Sequence, residues 1–213
     1  MKVIQLPVNP FQMNSYIYYD ENSHEGVIFD PAVFYPEEKQ ALEDLIKDKG
    51  IKITHIINTH GHIDHILGNK FAKDLFSVPI YMHADDKFLL DNASKQAEMM
   101  GIDIDEQPAS DDLIDENTII PVGSAKLRFI HTPGHSPGSV CAIDDENKNV
   151  FCGDVIFKNS IGRTDLIGGD YDILIRSIKD KLFNEVADDY MLFPGHMEIT
   201  NVADEKKTNP FLQ

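Results

Sequence analysis

Four ligand-type side chains stand within one short stretch: His60, His62, Asp64 and His65, spaced H-x-H-x-D-H with Gly61 between the first two. The stretch follows Ile51 to Asn58, a run rich in β-branched residues that reads as a buried strand. Side chains alternate along an extended chain, so His60 and His62 point the same way. If Ile63 opens a helix, Asp64 and His65 project from its first turn, and a strand end and a helix start face one point. Imidazole nitrogens and carboxylate oxygens of this kind suit Zn²⁺, with Fe or Mn as further candidates. Three more strand ends bring one ligand-type residue each: His135 after His131-Thr132-Pro133-Gly134, Asp154 after Phe151-Cys152-Gly153, and His196 after Leu192-Phe193-Pro194-Gly195. A glycine beside each permits the close backbone turn that convergence from separate strands requires.

The elements that must position these groups alternate between strand and helix. Strands are expected at Val3 to Val8, Ser15 to Asp20 and Val27 to Asp30, followed by a helix from Pro36 to Asp48 with Gly50 as its stop. After the histidine cluster a helix runs to about Phe76, then a short strand from Val78 to Met82 and an amphipathic helix from Ala84 to Met100. Ile102 to Glu116 is acidic and reads as an exposed loop. Strands resume at Thr118 to Val122, Lys126 to His131, Gly138 to Asp144 and Asn149 to Gly153. A helix from Tyr171 to Phe183, a strand from Tyr190 to Phe193 and a polar tail from Ile199 complete the chain. No linker or low-complexity segment divides it, so residues 1–213 are expected to form one α/β domain of two sheets with helices outside.

The chain of 213 residues carries 36 acidic and 19 basic side chains, a formal charge of −17. Nucleic acids and anionic membranes need a basic footprint, so neither is expected as a partner. The two cysteines, Cys141 and Cys152, read as reduced core residues. With no signal peptide and no apolar run of membrane-spanning length, the expected location is the cytoplasm.

The whole motif set, together with Asn14-Ser15-Tyr16, Asp30-Pro31 and Gly162-Arg163-Thr164-Asp165, resembles the metallo-β-lactamase-fold hydrolases. Within them it looks like the glyoxalase II branch; His62 stands where the flavodiiron branch carries an acidic residue. The resemblance implies a four-layer αββα sandwich with two divalent metal ions at one edge of the paired sheets. It implies that His60, His62 and His135 hold the first metal, that Asp64, His65 and His196 hold the second, and that Asp154 bridges them. Such a centre lowers the pKa of a bound water toward ~7, giving a hydroxide that attacks a polarised carbonyl. A thiolate, with an ordinary pKa near ~8.5, leaves without a strong proton donor.

The expected function is therefore a binuclear zinc hydrolase acting on a small acyl thioester, similar to hydroxyacylglutathione hydrolases. Asp64 and Asp154 are its catalytic carboxylates, with Asp64 also orienting the water. Alternatives on the same ligand set are a mononuclear iron persulfide dioxygenase and a lactonase or β-lactamase; a non-enzymatic metal-binding protein is disfavoured by seven ligands where a closed structural site needs four. Full-length glyoxalase II enzymes bind glutathione with the help of a C-terminal helical domain that has no counterpart in residues 197–213. Arg163 suits carboxylate recognition or an ion pair with Asp165 or Asp170, and His83 is a candidate for the substrate pocket. His131 reads as a loop residue or an orienting partner for a ligand, and Tyr16 and Phe157 as core. Glu198, if turned inward, would repel an anionic substrate. Homo-oligomerisation is left open.

Overall fold

The computed structural model describes residues 1–213. The first sheet holds β1 (Lys2–Val8), β2 (Met13–Tyr19), β3 (Glu25–Phe29), β4 (Lys52–Ile57), β5 (Ile80–His83) and β6 (Asp112–Ile114), paired in that order. Strands β1 to β3 form an antiparallel meander, while β3, β4, β5 and β6 run parallel, joined by crossovers. The second sheet contains β7 (Ile119–Val122), β8 (Ala125–His131), β9 (Val140–Asp144) and β10 (Asn149–Gly153). A small hairpin, β11 (Ile156–Phe157) with β12 (Ser160–Ile161), follows. Then β13 (Met191–Pro194) adds parallel to β10, and β14 (Thr200–Asn201) closes the edge.

The helices cover the outer faces. Helix α1 (Pro36–Lys49) starts at Pro36 and stops at Gly50, which takes the left-handed conformation at φ 63°. Its buried Leu42 and Ile46 pack with Ile17, Ile28 and Ile56 on the outside of the first sheet. Helices α2 (Ile63–Ile66) and α3 (Asn69–Phe76) carry the chain on from the histidine cluster. On the far side, α6 (Tyr171–Arg176) runs through a π-wound stretch, Ser177–Leu182, into α7 (Phe183–Glu185). Leu174, Ile178 and Leu182 from that helix meet Ile130, Cys141 and Cys152. The result is the four-layer αββα order expected. No helix is long and apolar enough to cross a membrane.

Aromatic rings join the sheets. Phe151 on β10 stacks on Phe29 of β3 at 4.1 Å and on Phe193 of β13 at 5.0 Å, with Tyr16 and Tyr18 of β2 against its edges. Inner strands such as β2 and β9 are buried at every position. Such strands read as continuous apolar runs because both faces are covered.

Three expectations need correction. The helix expected over Ala84–Met100 is a single turn at Ala84–Asp86, then α4 (Lys87–Asp91) and α5 (Ala93–Met100). The chain breaks at Asn92, whose side-chain amide joins its own backbone N–H in donating to the Phe88 carbonyl. The acidic loop contains β6, an edge strand that buries Ile114 between the sheets. The polar tail forms α8 (Val202–Thr208), capped by the Asn201 side chain on the Asp204 N–H.

Phe151 is 1% exposed. Its replacement by Ala should lower the unfolding free energy of the metal-free protein by about 3–5 kcal/mol, read from the urea midpoint.

Candidate metal centre

Strands β3, β4, β8, β10 and β13 end at one edge of the sandwich, because β3 is parallel to β4, β10 to β13, and β8 reaches β10 through two antiparallel pairings. Ligands in sheets of this kind bind beyond the carboxyl ends of parallel strands. Each strand end delivers one part of the cluster: Asp30 after β3, His60 and His62 after β4, His135 after β8, Asp154 after β10, His196 after β13. The first turn of α2 adds Asp64 and His65. Two glycines make the approach feasible. Gly153 turns at φ 48° beside Thr59, and a Cβ on Gly195 would fall 2.4 Å from Asp154 Oδ1 and 2.5 Å from His65 Cε1.

His60, His62 and His135 form the first group. His135 Nε2 lies 2.8 Å from His62 Nδ1 and 3.1 Å from His60 Nε2. The proton of His135 sits on Nδ1, which donates to the Arg163 carbonyl at 2.8 Å. Thr59 Oγ1 gives its proton to Asp30 at 2.7 Å and therefore accepts from His60 Nδ1 at 3.2 Å. Both Nε2 atoms then carry lone pairs aimed at each other, a repulsion that a cation between them removes. Burial first, and neighbouring imidazoles second, hold His60 well below the usual histidine range and push His62 down to about 3. Neutral imidazole is the form that binds metal.

The second group pairs carboxylates with His65 and His196. His65 donates from Nδ1 to Asp30 at 3.0 Å, which turns its Nε2 toward Asp154 Oδ1 at 3.2 Å. Neither His65 Nε2 nor Asp154 Oδ1 has a hydrogen-bond partner, although both are buried. Asp64 Oδ2 meets His196 Nε2 at 3.0 Å. Asp154 reaches both groups: Oδ2 lies 3.6 Å from His135 Nε2 and 3.6 Å from His196 Nε2. Burial opposes a charge on His65, but Asp154, Asp30 and Asp64 outweigh it and hold its pKa well above the usual value. His196 is likewise raised: burial works against its charge and the Asp64 hydrogen bond overcomes it. Orphaned buried polar atoms, with nitrogen and oxygen atoms converging from seven side chains, fit divalent metal ions.

Supporting residues that spacing did not reveal hold this arrangement. Asp30 accepts from the Thr59 N–H, the Thr59 hydroxyl and His65, so one carboxylate fixes the tautomers of two histidines. Its backbone is left-handed at φ 45°, a strained state for a non-glycine residue. Asp86, fully buried, accepts from the Gly61 N–H, the Ser136 hydroxyl and the Gly138 N–H, tying the first histidine loop to the His135 loop. Nothing in the sequence separates it from its exposed neighbour Asp85. Asn14 and the Tyr16 hydroxyl hold the Pro194 carbonyl, and Asn14 also holds that of Met197, which brackets His196.

The remaining candidates divide. Arg163 lines the cleft over the centre, and its guanidinium is held by Asp165 at 2.7 and 2.8 Å. Phe157, expected in the core, also lines that cleft, whereas Tyr16 is core. His83 does not line it: its ring is stacked 4.1 Å from His131, on the outer side of the His135 loop. His131 bonds to the Pro137 carbonyl, not to a ligand. Glu198 points away and pairs with Lys158.

An αββα sandwich with histidines and aspartates from both sheets gathered at one edge defines a metal-dependent hydrolase. The chain belongs to the metallo-β-lactamase superfamily, whose model matches residues 8–196. It is 34% identical over 214 residues to the hydroxyacylglutathione hydrolase GloC of Haemophilus influenzae, covering 100% of this chain and 98% of that one. The structure of the BLEG-1 B3 metallo-β-lactamase superposes with a TM-score of 0.90 at 34% identity, over 99% of each chain. That of TTHA1623 in a di-iron-bound form gives 0.86 at 31% identity, covering 98% of this chain and 99% of that one.

Two outcomes follow from the geometry. Replacing Asp30 by Ala should weaken metal affinity about 10- to 100-fold, measured by competition with a chromophoric chelator. Metal uptake at pH 7 should release protons, because His65 and His196 hold protons above their ordinary pKa and must lose them to bind. Affinity therefore falls as pH falls, and the release, read by calorimetry in buffers of different ionisation enthalpy, shrinks as pH rises through the raised pKa values of the two histidines.

Proposed function

We propose that the chain is a binuclear zinc hydrolase that cleaves a thioester of a small acyl group. His60, His62 and His135 would hold one cation, Asp64, His65 and His196 the other, and Asp154 both. The observation that carries the thioester is the lining of the cleft over the centre, where every titratable side chain other than Arg163 belongs to the proposed ligand set, which leaves no separate proton donor. An amide would need a donor to protonate its leaving amine, whereas a thiol with a pKa near ~8.5 departs as the anion at neutral pH. The name of the Haemophilus relative, a hydroxyacylglutathione hydrolase, supports the same chemistry.

Bound divalent cations supply the positive charge that lowers the pKa of a water and polarises the substrate carbonyl. The chain supplies the geometry. Asp64 is the carboxylate of the second group with part of its surface open to the cleft; its Oδ2 is held by His196 while the group faces the substrate space. It can orient a water and accept its proton. Asp154, almost fully buried, fixes the spacing of the two groups rather than exchanging protons with solvent. His135 and His65 are locked by Arg163 and Asp30, so neither reorients when charge develops. The donor set favours zinc, and the di-iron form of a relative makes iron the alternative loading. The two cysteines are buried and unpaired, which suits a reducing cytoplasm.

Elemental analysis of purified protein, combined with a thioester assay, tests this reading. Two zinc per chain and turnover abolished by chelation are expected; one iron per chain, oxygen consumption with a persulfide and no thioesterase activity would assign the dioxygenase reaction instead. Replacing Asp64 by Asn should lower kcat by about 10²-fold or more. Full turnover in a variant that retains its metals would remove Asp64 from the mechanism.

A further inference from the structure

The cleft over the metal centre has a volume of about 570 Å³, within the range of small-molecule sites. Its walls away from the ligands are largely apolar. One wall is the last turn of α5, where Met99 is 80% exposed and Met100 is 48% exposed. Gly101 ends the helix there, its N–H returning to the Ala97 and Glu98 carbonyls, so both methionines sit on a fixed helical end. A second apolar part of the lining is Leu166 and Ile167, in a turn closed by the Gly169 N–H on the Leu166 carbonyl at 2.9 Å. Ile167 stands at its tip, 75% exposed. The turn is anchored to the His135 loop: Gly168 packs on the Pro137 ring, and the Asp170 N–H donates to the Gly134 carbonyl at 2.8 Å.

Large apolar side chains held out into water on rigid supports mark a binding surface when they border a site. Here they stand on a chain of charge −17 whose other exposed side chains are mostly charged. The one cation in the cleft, Arg163, gives the Nε and Nη2 edge of its guanidinium to Asp165, which neutralises its charge. No lysine faces the space, and the nearest anions, Asp64 and Asp154, belong to the metal centre. A substrate bearing free carboxylates would meet only this already paired cation, on a chain of charge −17. An uncharged alkyl or aryl group would bury itself between Met99, Met100 and Ile167, and methionine adapts to such groups of varied shape.

Building on the thioesterase reading above, we infer that the α5 end and the 166–169 turn form a subsite for an uncharged apolar arm of the substrate. The scissile carbonyl lies at the metal centre and the arm extends outward along this apolar lining. The preferred substrate is then a thioester with an alkyl or aryl arm on an uncharged carrier, not a glutathione ester.

The test uses the metal-loaded protein and three series: straight-chain acyl esters of N-acetylcysteamine from acetyl to decanoyl, the same acyl groups on glutathione, and acetyl esters of alkanethiols of rising length. In the first or third series kcat/KM should rise about three- to fourfold per methylene until the cleft is filled, and the series that rises identifies the acyl or the sulfur side as the arm. Glutathione esters should be poorer than N-acetylcysteamine esters of the same acyl group. Met99→Lys and Ile167→Lys should each flatten the slope, while Leu113→Lys, an exposed change on β6 outside the cleft, should leave it unaltered. Binding of non-hydrolysable S-(2-oxoalkyl) thioethers, followed by calorimetry, should show the same slope. A flat series, or a preference for glutathione esters, overturns the subsite. Thioethers that bind with the expected slope while no thioester is turned over would sustain the subsite and overturn the thioesterase reading.

Discussion

His60 Nε2 and His135 Nε2 face each other at 3.1 Å with both of their protons committed elsewhere. Two lone pairs in a buried place repel, and the one donor within reach, His62 Nδ1 at 2.8 Å from His135 Nε2, leaves His60 Nε2 unpaired. The fold tolerates this contact because it is over-determined. Asp30 fixes Thr59, Thr59 fixes His60, and the backbone of the 163 segment fixes His135. A few kinds of constraint therefore run through the whole molecule: five strand ends, an acidic hinge after β3, and a second buried carboxylate, Asp86, that binds two loops together. Each exists to hold nitrogen and oxygen atoms closer than they would choose.

This arrangement explains which parts of the molecule were legible in the sequence. The H-x-H-x-D-H spacing and the glycine beside each later ligand report on backbone that must turn sharply, and such requirements are local. The apolar strands are equally plain, because β2, β9 and β10 are buried on both faces. The four-layer order and the division of ligands between two ions came from likeness to a family, not from periodicity. What escaped depends on contacts between distant segments. Asp86 looks like any acid in Asp85-Asp86 until Gly61 and Gly138 are folded onto it. Helix α8 was hidden by its polarity: its buried face consists of Val202 and of Glu205, whose carboxylate is satisfied by Thr200, Asn159 and Asn209. The break at Asn92 falls where its side-chain amide and its own N–H share the Phe88 carbonyl, and no hydrophobic pattern announces it.

The electrostatics of the chain are divided by depth. The surface is strongly acidic, the centre sets the neutral imidazoles of His60 and His62 beside carboxylates paired with His65 and His196, and the cleft between them is largely apolar. Arg163 shows how strict the division is. Its carbonyl serves the metal centre and its guanidinium turns to Asp165, so one residue contributes to the site through its backbone while its charge is cancelled outside. His83 and His131 show the reverse. Two residues of the right chemistry stack on each other on the outer side of the same loop and add to its packing.

The order in which strands supply ligands has a consequence for the protein's synthesis. His60, His62, Asp64 and His65 leave the ribosome early, whereas His196 follows β13, which comes after the α6–α7 helix in the chain and pairs with β10. Domains fold as units once their chain has emerged. A nascent chain therefore exposes four ligands of the centre long before it has the remaining three, and full coordination reports that both sheets have closed.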